Sequence, residues 1–182
     1  MKDLVLLVAD KNMQATLRGV LARPQAMGIR SVSFEIRVHP GRDGGSRTTG
    51  GLILAVERRR FDHALLIFDL AGSGAHTDDP VALEQELDVS LNVQWAGRAK
   101  SIVIAPELDA WIWGADSALR EVFRWPLDVP IRQWLRAKGF QFDLAGKPSQ
   151  PKEALEAIVR VHRQARSSAL YEKVAEIGRA HV

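Results

Sequence analysis

The chain has 182 residues, is 46% hydrophobic and 26% charged, and carries a net charge of +3 without a single cysteine. That length predicts one domain with a helical extension, and the missing cysteines exclude disulfides, thiolate nucleophiles and Cys-type zinc sites and fit a reducing cytoplasm. No apolar run approaches the ~20 residues of a membrane span, and the charge is too modest to specify nucleic acid by itself, although a predominance of arginine suits phosphate partners.

The N-terminus, MKDLVLLVADKN, reads as a first strand and not as a signal peptide, because acids and Asn follow the apolar run where small cleavable residues belong. Its core, DLVLLVA (3–9), is the continuous kind of run found in strands buried on both faces. Met13, Leu17, Val20 and Leu21 then recur at helical spacing. In SVSFEIRVHP the residues Val32, Phe34, Ile36 and Val38 alternate with Glu35 and Arg37, which predicts a strand near a sheet edge. GRDGGSRTTGG, rich in glycine, reads as a loop, and LILAVERRRF as a helix. HALLIFD (63–69) is a third strand; PVALEQELDVSLNVQW (80–95) is a helix with proline at its start; AKSIVIA is a fourth strand. Beyond it lie Trp-rich helical segments, LDAWIWGADSALREVFRW and PIRQWLRAKG, and from Pro151 to about Ile177 a long amphipathic helix or helix pair.

Strand and helix in alternation predict an α/β fold: a mostly parallel sheet of four or slightly more strands, with helices on both faces. Residues 1–146 form the α/β domain in this reading, and residues 147–182 a C-terminal helical extension packed on it. In such sheets ligands bind at the carboxyl ends of the strands. Here those ends carry Asp10, Asp69, and Glu107 with Asp109, and the second strand ends at His39 with Asp43 just beyond. Carboxylates gathered at one edge repel one another, and a divalent cation removes that cost; an oxygen-only donor set favours Mg²⁺ or Mn²⁺. The expected metal ligands are therefore Asp10, Asp69, Glu107 and Asp109. If the chain is extended at 107–109, both acids point to one side; if a helix has begun, they diverge. Arg42 and Arg47 lie at the same edge and are the candidates for gripping phosphates.

Plainer roles compete for several of these residues. Asp10 and Asp109 also suit helix caps, Asp43 a turn, His39 and His76 solvated loops, and Glu57–Arg60 a solvated helix end. Of Trp111 and Trp113, one is expected to pack inward and the other to face a neighbour or partner.

The segments LLVADKN, LLIFDLAGSG and PELDAW, in that order, resemble the TOPRIM-like proteins (the topoisomerase–primase fold), and among them small bacterial defence-associated families related to OLD-type nucleases. The resemblance spans about residues 2–125. It implies Asp69 as first acid of the middle motif, Glu107 as the later acid and Asp109 as its companion, with Asp69 and Glu107 catalytic. The chain departs from the pattern twice: Asp10 stands where Glu followed by Gly is usual, and Ala71 replaces the second acid of the middle motif. The function this implies is metal-dependent phosphodiester hydrolysis in a bacterial anti-phage system, with nucleic acid and other defence proteins as partners. The alternative is a non-catalytic TOPRIM-like binding subunit using the same edge or its Trp-rich helices. A lesser alternative is a phosphorelay receiver, with Asp69 as acceptor and Lys147 as sensor; the long separation of those two residues argues against it.

Overall fold

A computed structural model describes residues 1–177 apart from Ala115, Leu127 and Gln164. The chain is an α/β protein built on a four-stranded, all-parallel sheet: β1 (Lys2–Val8), β2 (Phe34–Val38), β3 (Phe61–Asp69) and β4 (Ala99–Ile104), in the order β2-β1-β3-β4. The helices are α1 (Lys11–Leu21), α2 (Arg42–Ala55), α3 (Pro80–Trp95), α4 (Asp109–Ile112), α5 (Asp116–Phe123), α6 (Ile131–Ala137), α7 (Pro151–Val161) and α8 (Ser168–Ile177). Among the described residues, no helix is long and apolar enough to cross a membrane.

Two compact units share the chain. The first comprises Met1–Gln14 and Ile29–Glu107; the second comprises Ala15–Gly28 and the described residues from Leu108 onward. The division passes through α1, and the boundary expected at 146/147 falls inside the second unit. The N-terminal part of the fold therefore lends a segment, Ala15–Gly28, to the C-terminal helices.

In the first unit the apolar runs become the central strands. Val5, Leu6, Leu7 and Val8 of β1, and Leu66, Ile67 and Phe68 of β3, are all buried, as parallel strands covered on both faces require. β2 lies at the edge, as its alternation predicts, and is only half-buried up to an exposed Val38. The other edge, β4, is covered by a different device. Glu84 and Asp88, one turn apart on α3, accept hydrogen bonds from the outward N–H groups of Val103 and Ser101 at 2.8 and 2.7 Å. The open side of β4 is thus closed by side chains of its own connecting helix. α3 starts as its Pro80 predicts, with Asp79 capping it by accepting from the N–H groups of Val81 and Ala82.

α2 corrects an expectation. The glycine-rich stretch is not a loop but most of a 14-residue helix. Its glycines allow close approach to the sheet: a Cβ at position 50 would stand 2.6 Å from Leu66 Cδ1, and one at position 45 would stand 2.4 Å from His39 Cε1. The helical cost of each glycine, about 1 kcal/mol relative to alanine, is offset by packing that no larger residue permits. Glu57, just after α2, is also buried, and takes Arg37 and Arg60 as ion-pair partners; only the arginines of that run face solvent.

In the second unit, the segment read as a helix or helix pair is the pair α7 and α8. Leu155, Ile158 and Val159 of α7 and Leu170, Tyr171 and Val174 of α8 are buried. Gly19 of α1 lies against α8, where a Cβ would stand 2.7 Å from the Glu172 carbonyl oxygen. Trp113 is 1% exposed and its indole N–H donates to the Pro151 carbonyl at 3.0 Å, whereas Trp111 is 40% exposed.

Candidate functional site at the carboxyl edge of the sheet

The strand order creates a topological switch point. β1 is followed by β2 on one side, and β3 then joins β1 on the other. By the right-handedness of parallel crossovers, α1 and α2 belong to opposite faces, which opens a crevice at the carboxyl ends of β1 and β3. The residues at those two ends are Asp10 and Asp69.

Asp10 follows β1 and caps α1, its Oδ1 accepting the Met13 N–H at 2.8 Å. Asp69 closes β3, and its backbone N–H donates to Asp43 Oδ1 at 2.8 Å. Asp43 is therefore not a turn residue. It sits in the first turn of α2, where the helix dipole favours an acid, and it holds α2 to the end of β3. Burial pushes the Asp43 carboxyl above its ordinary value and the nearby charge of Asp10 adds to this, while the Asp69 N–H works in the opposite sense. Sequence reasoning missed this residue because Asp beside glycines is the composition of a turn; the signal it did carry was an acid in the opening turn of a helix.

The shift of Asp43 has a consequence for stability. A carboxyl that binds its proton more tightly when folded makes the native state lose stability as pH rises from its unfolded value, 3.8, through the raised folded value. Asn at this position keeps an acceptor for the Asp69 N–H and removes the charge. Asp43→Asn is expected to be more stable than the parent at neutral pH, with the difference vanishing at acid pH below that window. Denaturant midpoints measured across pH check this; an Asn variant less stable at neutral pH contradicts it.

His39 is buried, not solvated. Its Nδ1 accepts the Gly41 N–H at 2.9 Å, so Nε2 carries the proton and donates to Thr49 Oγ1 at 3.0 Å; Thr49 in turn donates to the Gly45 carbonyl. Burial lowers the affinity of this imidazole for a second proton. The neutral ring thereby clamps the entry of α2. His76 is exposed, as expected.

The two arginines at this edge differ. Arg42, the first residue of α2, is exposed and has φ of 52°. Arg47 donates from Nε to the Ser73 carbonyl at 2.8 Å and so holds the loop after β3. Ser73 Oγ donates to the Leu70 carbonyl at 2.8 Å within that loop. The same loop is tied to the end of β4, since the Leu70 and Ala71 N–H groups donate to the Ile104 and Pro106 carbonyls at 2.8 and 2.9 Å. Glu107 follows directly, half-buried, as the last residue of the first unit.

Asp109 belongs to the second unit. A helix has already begun there: Asp109 opens α4, so the extended alternative for 107–109 does not hold. The residue is buried and is not a helix cap. It accepts from Arg166 Nη2 at 3.0 and 2.9 Å and from the Tyr171 hydroxyl at 2.9 Å, while Arg166 Nε donates to the same hydroxyl at 2.7 Å. Burial raises the Asp109 carboxyl and the Arg166 charge opposes that rise; the Tyr171 hydroxyl is pushed well above its ordinary value by burial and by the charge of Asp109.

These placements test whether the residues fit a divalent ion. Among the described residues, no three of His, Asp and Glu are placed so that they could hold one together. Asp10 and Asp43 each have an oxygen committed to a backbone N–H, and Asp109 is engaged by Arg166 and Tyr171. What the edge does assemble is Asp10, Asp43 and the end of β3 around the switch point, with Arg42 exposed beside them. No protein-family model, no curated protein and no solved structure matches the chain.

Proposed function

We propose that the chain is a non-catalytic, TOPRIM-like binding component of a bacterial anti-phage complex, whose carboxyl edge takes up a positively charged group of a partner protein. The observation that carries this reading is the use made of the acids of the first unit: Asp10 caps α1, and Asp43 ties α2 to the Asp69 backbone. Acids employed in this way serve the fold and leave the edge negative. The defence setting is supported by the resemblance of LLVADKN, LLIFDLAGSG and PELDAW to that family.

Phosphodiester hydrolysis with Mg²⁺ or Mn²⁺ at Asp69 and Glu107 is the second reading. It is favoured by the charge of Asp10 acting on a half-buried Asp43, an excess of negative charge that a cation relieves. Thermal melting separates the two. Under the binding reading, neither ion raises the melting temperature, DNA and RNA remain uncut, and a partner encoded beside the protein co-purifies at low salt and is released as salt rises. A metal-dependent rise in melting temperature that Asp69→Asn abolishes, with nuclease activity that Glu107→Gln removes, overturns the binding reading in favour of hydrolysis.

A further inference from the structure

The two edges of the sheet are finished differently. Along β4, acceptors from α3 take the outward N–H groups of Val103 and Ser101 and close that edge to another strand. Along β2 the outward backbone groups belong to Phe34, Ile36 and Val38. This follows from the pairing with β1: the Leu4 N–H donates to the Ser33 carbonyl and the His39 N–H to the Val8 carbonyl, which turns the backbone groups of Glu35 and Arg37 inward. Gln14 of α1 donates from Nε2 to the outward Ile36 carbonyl at 3.2 Å. A carbonyl oxygen carries two lone pairs, so this contact leaves a place for a second donor. An edge with its N–H and C=O groups turned outward is a template for another strand.

The sequence of the strand says which strand fits. Phe34-Glu35-Ile36-Arg37-Val38 is symmetric about Ile36, with apolar residues at 34, 36 and 38 and opposite charges at 35 and 37. We propose that β2 pairs antiparallel with β2 of a second copy of the chain, about a two-fold axis at Ile36, so that the two sheets join edge to edge. Only outward groups bond across the edge, so residues 34, 36 and 38 must face one another. Centring the axis on 35 or on 37 also satisfies this, but it sets Glu35 or Arg37 directly opposite its own copy, and like charges so placed are destabilising. Centring it on 36 sets Glu35 opposite Arg37 on both sides of the axis, at the positions where side chains of an antiparallel pair stand closest. It also sets Phe34 opposite Val38, an aromatic and β-branched pair, while Ile36 exchanges both of its bonds with its own copy. The two charges have partners in their own chain as well: Lys2 and Arg60 for Glu35, and Glu57 for Arg37. At the ends of the strand Arg30 is paired with Asp3, and Arg42 is exposed. The reversed arrangement brings those two ends side by side, with Asp3 neutralising one of them.

Sedimentation velocity of the full chain over a concentration series tests this. Pairing through one short strand makes a contact at the small, reversible end of interface sizes, so the share of the 20.2 kDa chain that runs at twice its mass should rise with concentration. Ile36→Pro removes the central outward N–H at a place where an edge strand tolerates proline. It should raise the dimer dissociation constant by about tenfold or more with unchanged far-UV circular dichroism. Single cysteines fix the register. The chain has none of its own, so any disulfide joins two copies. Ile36→Cys should cross-link under mild oxidation, because its Cα stands about 5.5 Å from its copy in a hydrogen-bonded pair, within the span of a disulfide. Glu35→Cys and Arg37→Cys, each opposite a different residue, should lag behind. If Ile36→Pro loses its circular dichroism, the cysteine series decides alone. A parent chain that stays monomeric at its highest soluble concentration overturns the proposal, as does a folded Ile36→Pro variant that dimerises as tightly as the parent. Faster cross-linking at 35 or 37 than at 36 overturns the arrangement centred on Ile36.

Discussion

Trp113→Ala is expected to destabilise the protein by about 3–5 kcal/mol, the usual cost of removing a large aromatic from a packed site. Trp113 is 1% exposed within the second unit, and its indole N–H is paired with the Pro151 carbonyl at the start of α7. Alanine leaves a cavity between α4 and α7 and takes away the hydrogen bond as well. For a chain of this length each kcal/mol moves the melting temperature by roughly 2–4 °C, so a fall of about 10 °C is expected, with reduced soluble yield. Trp113→Phe keeps most of the volume and loses mainly the hydrogen bond, for about 1 kcal/mol. Trp111→Ala, two residues earlier but 40% exposed, should change stability by about 0.5 kcal/mol or less. Melting curves of the three variants decide it. Equal losses at 111 and 113 would contradict the inward and outward placement of the two rings.

Asp109→Ala is the second large effect. A buried ion pair that loses one partner leaves the other charge uncompensated, at a cost of about 3 kcal/mol, reduced to the extent that the survivor reaches water. Asp109 is the buried member, with a side chain 5% exposed against 27% for Arg166, so the arginine recovers some hydration. Tyr171 loses its acceptor at the same time. Replacing both members, Asp109→Ala with Arg166→Met, removes the stranded charge and should recover much of the loss. Denaturant melts of the two single variants and the double variant give the coupling directly. A double variant as unstable as the sum of the singles would show that the pair does not act as a unit. Asp109→Asn, which keeps an acceptor for Tyr171, should fall between the parent and the alanine variant.

The sheet was legible in the sequence because each strand announces itself within a few residues. Val5–Val8 and Ala64–Phe68 are unbroken apolar runs, and β2 alternates and lies at the edge. The start of α3 was equally local, since Asp79 and Pro80 need nothing beyond their own turn. By itself, then, the sequence determined the strands, their alternation with helices, and the arrival of Asp10 and Asp69 at one edge. Tertiary structure alone decided what the acids of each unit do. Arg166 is 57 residues from Asp109, and the Asp69 N–H is 26 residues from Asp43; no period or motif connects partners at such separations. The same holds for α2. Its glycines argue locally against a helix, and they are tolerated because His39 and Leu66 occupy the space where their side chains would be. The lending of Ala15–Gly28 to the second unit is likewise a matter of packing, set by the contact of Gly19 with α8. Local pattern reports which residues seek burial; only the assembled chain determines which partner each polar group meets once buried, because leaving any of them unpaired costs as much as a core contact contributes.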